Sequence, residues 1–374
     1  MDALTIGIIG VIVFLLVVLF LRMPIGFAMI IVGFWGIFFL RSPASALDQI
    51  ASTFVTSFSN YTLTAVAQFV FLGYIAYYSG LGGNLFKFAD AIVGHIRGGM
   101  AMAVQVACAL FGAICGSFPA TIGTMGAIAL PELKKSNYDV PLSAASIAAG
   151  SSLGSLIPPS LPLMIYGIAT ETSIGKLFAA GVFPGILHMS AYMVCVAILV
   201  KLKPSLAPVG PRPRLRNIVD KFTDGVIEVL LVFLVSIGGL FMGWFTPTEA
   251  GGVGAVALLA ITLIKKRMNL EKISKSLLDT VKLTGMIYIL LVGANIFGRF
   301  VTYSNVAHAI GQFVRGLDFH PYIIMIIIIL IYLALGTIID TLPLMLITIP
   351  IFYPIVVGDL GFNQIKTGDI LKAI

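Results

Sequence analysis

Three long apolar runs set the frame for this chain. Leu4–Leu21, Leu177–Val200 and Ile323–Leu335 contain no Asp, Glu, Lys or Arg. A helix of about 20 residues crosses a hydrocarbon core of about 30 Å, so these runs are long enough, or nearly so, to span a bilayer. Composition agrees. Of 374 residues, 59% are hydrophobic and 10% charged, and mean hydropathy is +1.06, whereas a soluble domain has about 25% charged residues. Part of every soluble globule faces water, and a chain this apolar has too little polar surface to cover one. The expected fold class is an all-α membrane protein, a polytopic helical bundle embedded in lipid.

The net charge of +7 does not point to nucleic acid, because the basic residues sit between apolar blocks, as in cytoplasmic loops. Cys108, Cys115 and Cys195 all lie inside apolar segments with no CxxC spacing. They read as small buried hydrophobes, with neither a disulfide framework nor a metal site. His95, His188, His308 and His320 have no ligand spacing. The first apolar run lacks a basic flank and an Ala-x-Ala exit, so it reads as a retained first span and not as a signal peptide.

Candidate spans are 4–21, 24–40, 62–79, 142–168, 177–200, 224–244, 248–264 and 283–298. Two further blocks, 99–131 and 320–354, are interrupted near their middles by Gly with Ser or Thr and end in Pro131 and in Pro350 and Pro354. Each reads as a re-entrant hairpin that leaves on the side it entered. Backbone breaks at membrane depth only where protein or a wet cavity satisfies it. With the N-terminus outside and both blocks counted as hairpins, 17 of the 23 Lys and Arg fall inside. Arg41, Lys176, Arg299 and Arg315 are left outside, and Lys366 and Lys372 unassigned. Counting 99–131 as a plain span would turn the basic stretch 201–221 outward, against the positive-inside rule.

Segment 203–221 is rich in Pro and Arg, without apolar periodicity, and reads as a cytoplasmic linker. It divides a first half, 1–202, from a second half, 222–374. The halves carry a weak match: Gly116-Ser117-Phe118-Pro119-Ala120-Thr121 against Gly336-Thr337-Ile338-Ile339-Asp340-Thr341. Both lie at the middle of a hairpin, and the charge topology gives the hairpins opposite orientation. That is the signature of an inverted repeat, with a binding site near the midplane at interrupted helices.

A helix broken in the membrane exposes orphan N–H groups at one new end and orphan C=O groups at the other. The amide end suits a carboxylate, and the carbonyl end with neighbouring hydroxyls suits a hard cation such as sodium. A third break, Gly154-Ser155-Leu156-Ile157-Pro158-Pro159-Ser160-Leu161-Pro162, lies inside span 142–168. Its prolines cannot donate to the helical ladder, and a Pro-Pro pair flanked by Ser exceeds what a kink needs. Asp340 stands alone in an uncharged stretch; it marks an ion path or caps a helix. Arg299 ends a span, placed either for a substrate carboxylate or for snorkelling to the interface, and Asn295 lies one turn before it. Thr246, Pro247 and Glu249 form the pattern of a capping box with Pro at N1.

Taken together, these motifs are similar to the large membrane subunit of tripartite ATP-independent periplasmic (TRAP) transporters along nearly the whole chain. The resemblance rests on Gly116–Thr121 with Gly123, Pro131–Lys135, Ile157–Ser160, Tyr166-Gly167 with Ser173–Phe178 and Ala180-Gly181, Phe245–Ala250, and Gly336-Thr337 through Asp340. It implies an elevator-type secondary transporter of the bacterial inner membrane. Such a subunit would work with a small four-helix membrane subunit and a periplasmic binding protein, with sodium entry driving import of a carboxylate such as a C4-dicarboxylate or sialic acid. By that resemblance, Gly116, Ser117, Ala120 and Thr121 would line one sodium site with Gly154, Ser155, Pro158, Pro159 and Ser160. Gly336, Thr337, Asp340 and Thr341 would line a second, the substrate would lie between the hairpin tips, and no organic cofactor is expected. The stretch Gly358–Ile365 followed by Lys366–Ile374 departs from the family pattern. It implies a second half that is incomplete after about residue 365, lacking a second Pro-Pro break and a last span.

Two other readings compete. One is a stand-alone sodium-coupled elevator carboxylate transporter without partners. The other is an intramembrane enzyme, which needs a catalytic constellation at membrane depth; none is present in the sequence.

Overall fold

The computed structural model describes residues 2–210, 219, 222–316, 319–337 and 339–359. The expected incompleteness after residue 365, and most of the linker beyond residue 210, lie outside them. Among the described residues the chain is helical, with no strand beyond an isolated bridge between Arg97 and Val209. They group into two compact units, Met1–Asn60 with Gly285–Ile374, and Tyr61–Thr284. The chain therefore passes between units at residues 60/61 and 284/285, and these crossings do not coincide with the 203–221 linker.

The first unit contains α1 (Ala3–Leu21), α2 (Ile25–Leu40) and α3 (Pro43–Phe58). Glycines let α2 lie close to the membrane half of α13 (Leu270–Tyr303): a Cβ on Gly26 would stand 3.0 Å from Ile289, and one on Gly33 2.9 Å from Ile296. Phe14 of α1 packs on Phe297 at 5.0 Å between ring centroids. Helix α13 is far longer than the expected span 283–298, because its charged front half continues the helix outside the apolar stretch.

Helix α3 was not expected; residues 43–58 fell between candidate spans. Ser42 caps it, accepting from the Ser45 N–H, and Pro43 starts it. Its inward face is polar, with Gln49, Thr53 and Ser57 buried, while Leu47, Val55 and Phe58 are exposed. Polar-in, apolar-out is the inverse of a soluble amphipathic helix and suits a lipid exterior.

The second unit begins with α4 (Thr64–Tyr78), which replaces the expected span 62–79. After Gly80, at φ +75°, α5 (Leu81–Val93) turns away by 70°. Next come α6 (Gly99–Cys115), α7 (Phe118–Lys135), α8 (Val140–Ser151), a 3-10 turn Ser152–Ser155, α9 (Leu161–Ala169) and α10 (Ile174–Leu202). Expected span 224–244 is irregular: α11 (Ile227–Phe233) is flanked by π-helical turns at Phe222–Val226 and Leu234–Gly238. Helix α12 (Pro247–Ile264) starts at the expected capping box, with both reciprocal hydrogen bonds formed. Gly251 and Gly254 bring it against Phe69 and Leu72 of α4.

Helices α6 and α7 fold back on each other as a helical hairpin. Met100 at the start of α6 and Pro131 and Glu132 near the end of α7 line one cavity of about 410 Å³, so the chain returns to the level where it entered. Moreover, α6 and α8 run parallel, because Gln105 meets Ser146 and Gly112 meets Gly154. A plain span over 99–131 would make them antiparallel.

In the first unit, α14 (Val306–Arg315), α15 (Pro321–Gly336) and α16 (Thr341–Tyr353) complete the second half. Helices α15 and α16 also fold back: the Tyr332 ring lies 5.7 Å from that of Phe352, and its hydroxyl meets that of Thr348. Cys108 and Cys115 are buried as expected, but Cys195 is exposed, since it lies on α10, much of whose surface is exposed and apolar.

Candidate functional site

Helix α6 ends because Gly116 takes a left-handed conformation, φ +59°, with its N–H bonded to the Gly112 carbonyl at 2.9 Å. This is the usual role of Gly just past a helix. No other residue fits, since a Cβ there would lie 2.1 Å from the Pro159 carbonyl oxygen. Ser117 is extended and begins α7, with Pro119 in the first turn. Its side chain makes no capping hydrogen bond. Its carbonyl accepts from the Thr121 N–H at 3.1 Å and the Thr121 hydroxyl at 2.8 Å. The Thr121 hydroxyl also lies 3.2 Å from Cys115 Sγ.

The third break meets the first. Helix α8 passes through its 3-10 turn, and the chain is then non-helical through Pro158 and Pro159, whose connecting peptide is cis. Ser160 caps α9, accepting from the Leu163 N–H at 3.2 Å while its hydroxyl donates to the Ser155 carbonyl. The Leu161 N–H donates to the Gly116 carbonyl at 3.0 Å, joining the breaks directly. Gly154 allows the contact, since a Cβ on it would be 2.5 Å from Thr121 Oγ1 and 3.2 Å from the Ser117 carbonyl.

The structure thus brings Gly116, Ser117, Thr121, Gly154, Ser155, Pro159 and Ser160 together at one level. Pro158 packs toward Gly181 of α10, and the Ala120 carbonyl accepts from the Thr124 hydroxyl at 2.7 Å. At this level stand the carbonyl ends of α6 and of the 3-10 turn, and the amide ends of α7 and α9. The Gly116 and Ser155 carbonyls each accept one bond from α9 and its cap, leaving a second lone pair. No charged side chain belongs to the cluster. A neutral set of carbonyls and hydroxyls fits a hard monovalent cation, and helix N-termini fit an anion.

The second-half residues lie in the other compact unit. At the tip between α15 and α16, the Thr337 hydroxyl donates to the Ala334 carbonyl at 2.7 Å and the Asp340 carboxylate accepts from the Thr341 N–H at 2.8 Å. Asp340 caps α16, so the capping reading describes its contacts here; Gly336, Thr337, Asp340 and Thr341 are exposed. Asp340 and Arg22 also line an apolar cavity of about 730 Å³ in that unit. Asn295 and Arg299 are exposed on α13. Arg299 donates to Gln49 Oε1 at 2.9 Å, and Gln49 donates to the Thr53 hydroxyl at 2.8 Å, so its partner is α3.

Sequence reasoning missed the residues that hold the breaks together. Gly112 had a signal, four residues before a break glycine; Gln105 had only its polarity inside an apolar helix. Glu228, 3% exposed, was also missed; it pairs with Lys265 and with Arg267 (2.9 Å) across α11 and α12.

A family model described as "Tripartite ATP-independent periplasmic transporter, DctM component" matches residues 12–371. Over 333 residues the chain is 36% identical to a C4-dicarboxylate TRAP transporter large permease protein of Pseudomonas aeruginosa, covering 89% of this chain and 77% of that one. It is 31% identical over 353 residues to a sialic acid TRAP transporter large permease protein of Vibrio cholerae, covering 94% and 81%. It is also 31% identical over 329 residues to an isethionate TRAP transporter permease protein of Oleidesulfovibrio alaskensis, covering 87% and 51%. A multi-pass helical protein with these relatives is a transporter subunit rather than an enzyme, and the chain belongs to the DctM family, the large membrane component of the tripartite ATP-independent periplasmic transporters.

Proposed function

We propose that this chain imports an organic anion by sodium symport, receiving it from a periplasmic binding protein and working beside a small four-helix membrane subunit. The observation that carries this reading is the meeting of two helix carbonyl ends with two helix amide ends in a cluster without full charges. In this reading the Ser117, Thr121 and Ser160 hydroxyls with the Gly116 and Ser155 carbonyls hold sodium. The amide ends of α7 and α9 favour the anion. Binding the cation beside the anion cancels charge that the membrane interior disfavours, so one ion raises the affinity for the other. Thr337, Asp340 and Thr341 form a second sodium site in the second half, whose pattern mirrors the first as an inverted repeat.

The solute class is supported by relatives named for C4-dicarboxylates, sialic acid and isethionate. These solutes share an acidic group and little else, as expected if amide ends meet the charge and pocket shape selects the rest. The distribution of Lys and Arg favours a periplasmic N-terminus and a cytoplasmic 203–221 loop. Transport follows an elevator movement.

Uptake of labelled organic acids into proteoliposomes holding both membrane subunits tests the reading. Uptake is expected only with an inward sodium gradient and the binding protein. Uptake equally fast without sodium would remove the coupling. Sodium-driven uptake without the binding protein would favour a stand-alone carrier.

A further inference from the structure

Below the meeting point of the breaks, a polar seam joins α6 to α8. Gln105 on α6 is 1% exposed, in a helix otherwise apolar at its buried positions. Its Nε2 donates to the backbone carbonyl of Ser146 on α8 at 2.9 Å. Its Oε1 has no hydrogen-bond partner among the described residues, nor has the Ser146 hydroxyl. Oε1 faces Gly150, where a Cβ would stand only 2.7 Å away, and Cys108 Sγ approaches the same point at 3.1 Å. One step higher, Gly112 meets Gly154, and higher still the Gly116 carbonyl accepts from Leu161. Gln105, Cys108, Gly112 and Cys115 recur at a heptad-like spacing, and each faces α8 or the breaks.

An apolar residue would fill the Gln105 position without burying an unpaired oxygen, which costs stability. What Gln supplies instead is direction. Apolar packing between the helix faces, such as the close approach of Gly112 to Gly154, favours a register, and a hydrogen bond to one carbonyl adds a directional preference for the same one. That register decides whether Gly154 lies under Thr121 and whether Leu161 reaches Gly116. We infer that Gln105 is a positioning residue, a register clamp that holds the broken helix α8–α9 against hairpin helix α6 so that the carbonyl and amide ends of the two breaks meet. Its effect on transport rests on the proposed cation site at those breaks.

Gln105→Met keeps the length of the side chain and removes the donor. Gly150→Ala disturbs the same clamp from the other side. Both are made in the full chain and assembled with its membrane and binding-protein partners. Sodium dependence of uptake, substrate KM at saturating sodium, thermal melting, and amide exchange of segments 112–121 and 153–163 are measured. The clamp predicts a rise of about two- to tenfold in half-saturating sodium and in exchange at the two breaks, the factor one hydrogen bond is worth, with substrate KM at saturating sodium unchanged. A lower melting temperature with exchange at the breaks and half-saturating sodium as in wild type would reduce Gln105 to core packing and overturn the inference. If wild-type uptake proves independent of sodium, the cation reading fails by itself, and exchange at the breaks alone decides the clamp.

Discussion

Replacing Gly112 with alanine would place a methyl carbon 2.6 Å from the Gly154 Cα and 3.0 Å from its backbone nitrogen. Ordinary carbon contacts lie near 3.5–4.0 Å, so the two segments must part by about 1 Å. Both atoms belong to backbone, and no rotamer change can absorb the shift. Overpacking of this kind costs about 1–3 kcal/mol, and a backbone clash belongs at the upper end. Alanine also gains about 1 kcal/mol of helix propensity over glycine, leaving a net loss of about 2 kcal/mol. Gly126 on α7 is a matched control, because a Cβ there meets nothing within 4 Å and receives only the propensity gain. The two variants should then differ by about 3 kcal/mol, or about 6–12 °C in melting temperature for a unit of this size. Thermal melting of the purified protein in detergent measures the difference. Equal melting temperatures for Gly112→Ala and Gly126→Ala would show that α6 does not touch the 3-10 turn as described. On the proposed reading, uptake should fall in the first variant, although Gly112 has no polar side-chain group to lose.

Two further changes probe the supports of the second unit. Glu228→Gln leaves Lys265 and Arg267 facing each other without their carboxylate; with the Lys265 side chain 41% exposed, the loss is discounted to about 1–3 kcal/mol, read as a lower melting temperature that an unchanged melt would contradict. Asp139→Ala removes the N-cap of α8, whose carboxylate accepts from the Leu142 N–H at 3.0 Å, and should cost about 1 kcal/mol, with Asp139→Asn close to wild type in the same assay.

The breaks were legible because glycine and proline act on their own backbone. Gly116 ends a helix by its φ, and Pro158 and Pro159 end one by lacking donors, whatever packs around them. The capping box at Thr246 was legible for the same reason, since every partner lies within one turn. Asp340 shows the limit. Its isolation marked it as notable but did not say that it also caps α16 by accepting from the Thr341 N–H. Glu228 shows the opposite limit: its partners lie 37 and 39 residues away in sequence, so nothing local announces it. Helix α3 escaped because apolar residues face outward on it, reversing the pattern used to recognise a surface helix.

Local sequence therefore determined that the chain is a membrane bundle and where its Gly and Pro breaks interrupt helices, but not the full length of α13 or the existence of α3. Tertiary structure decided that two breaks about 40 residues apart meet in one cluster, through Gln105 on Ser146 and Gly112 on Gly154. The physical reason lies in the solvent. In a bilayer, a face that packs on protein and a face that meets lipid are both apolar, so hydropathy locates a helix without saying which side of it finds a partner.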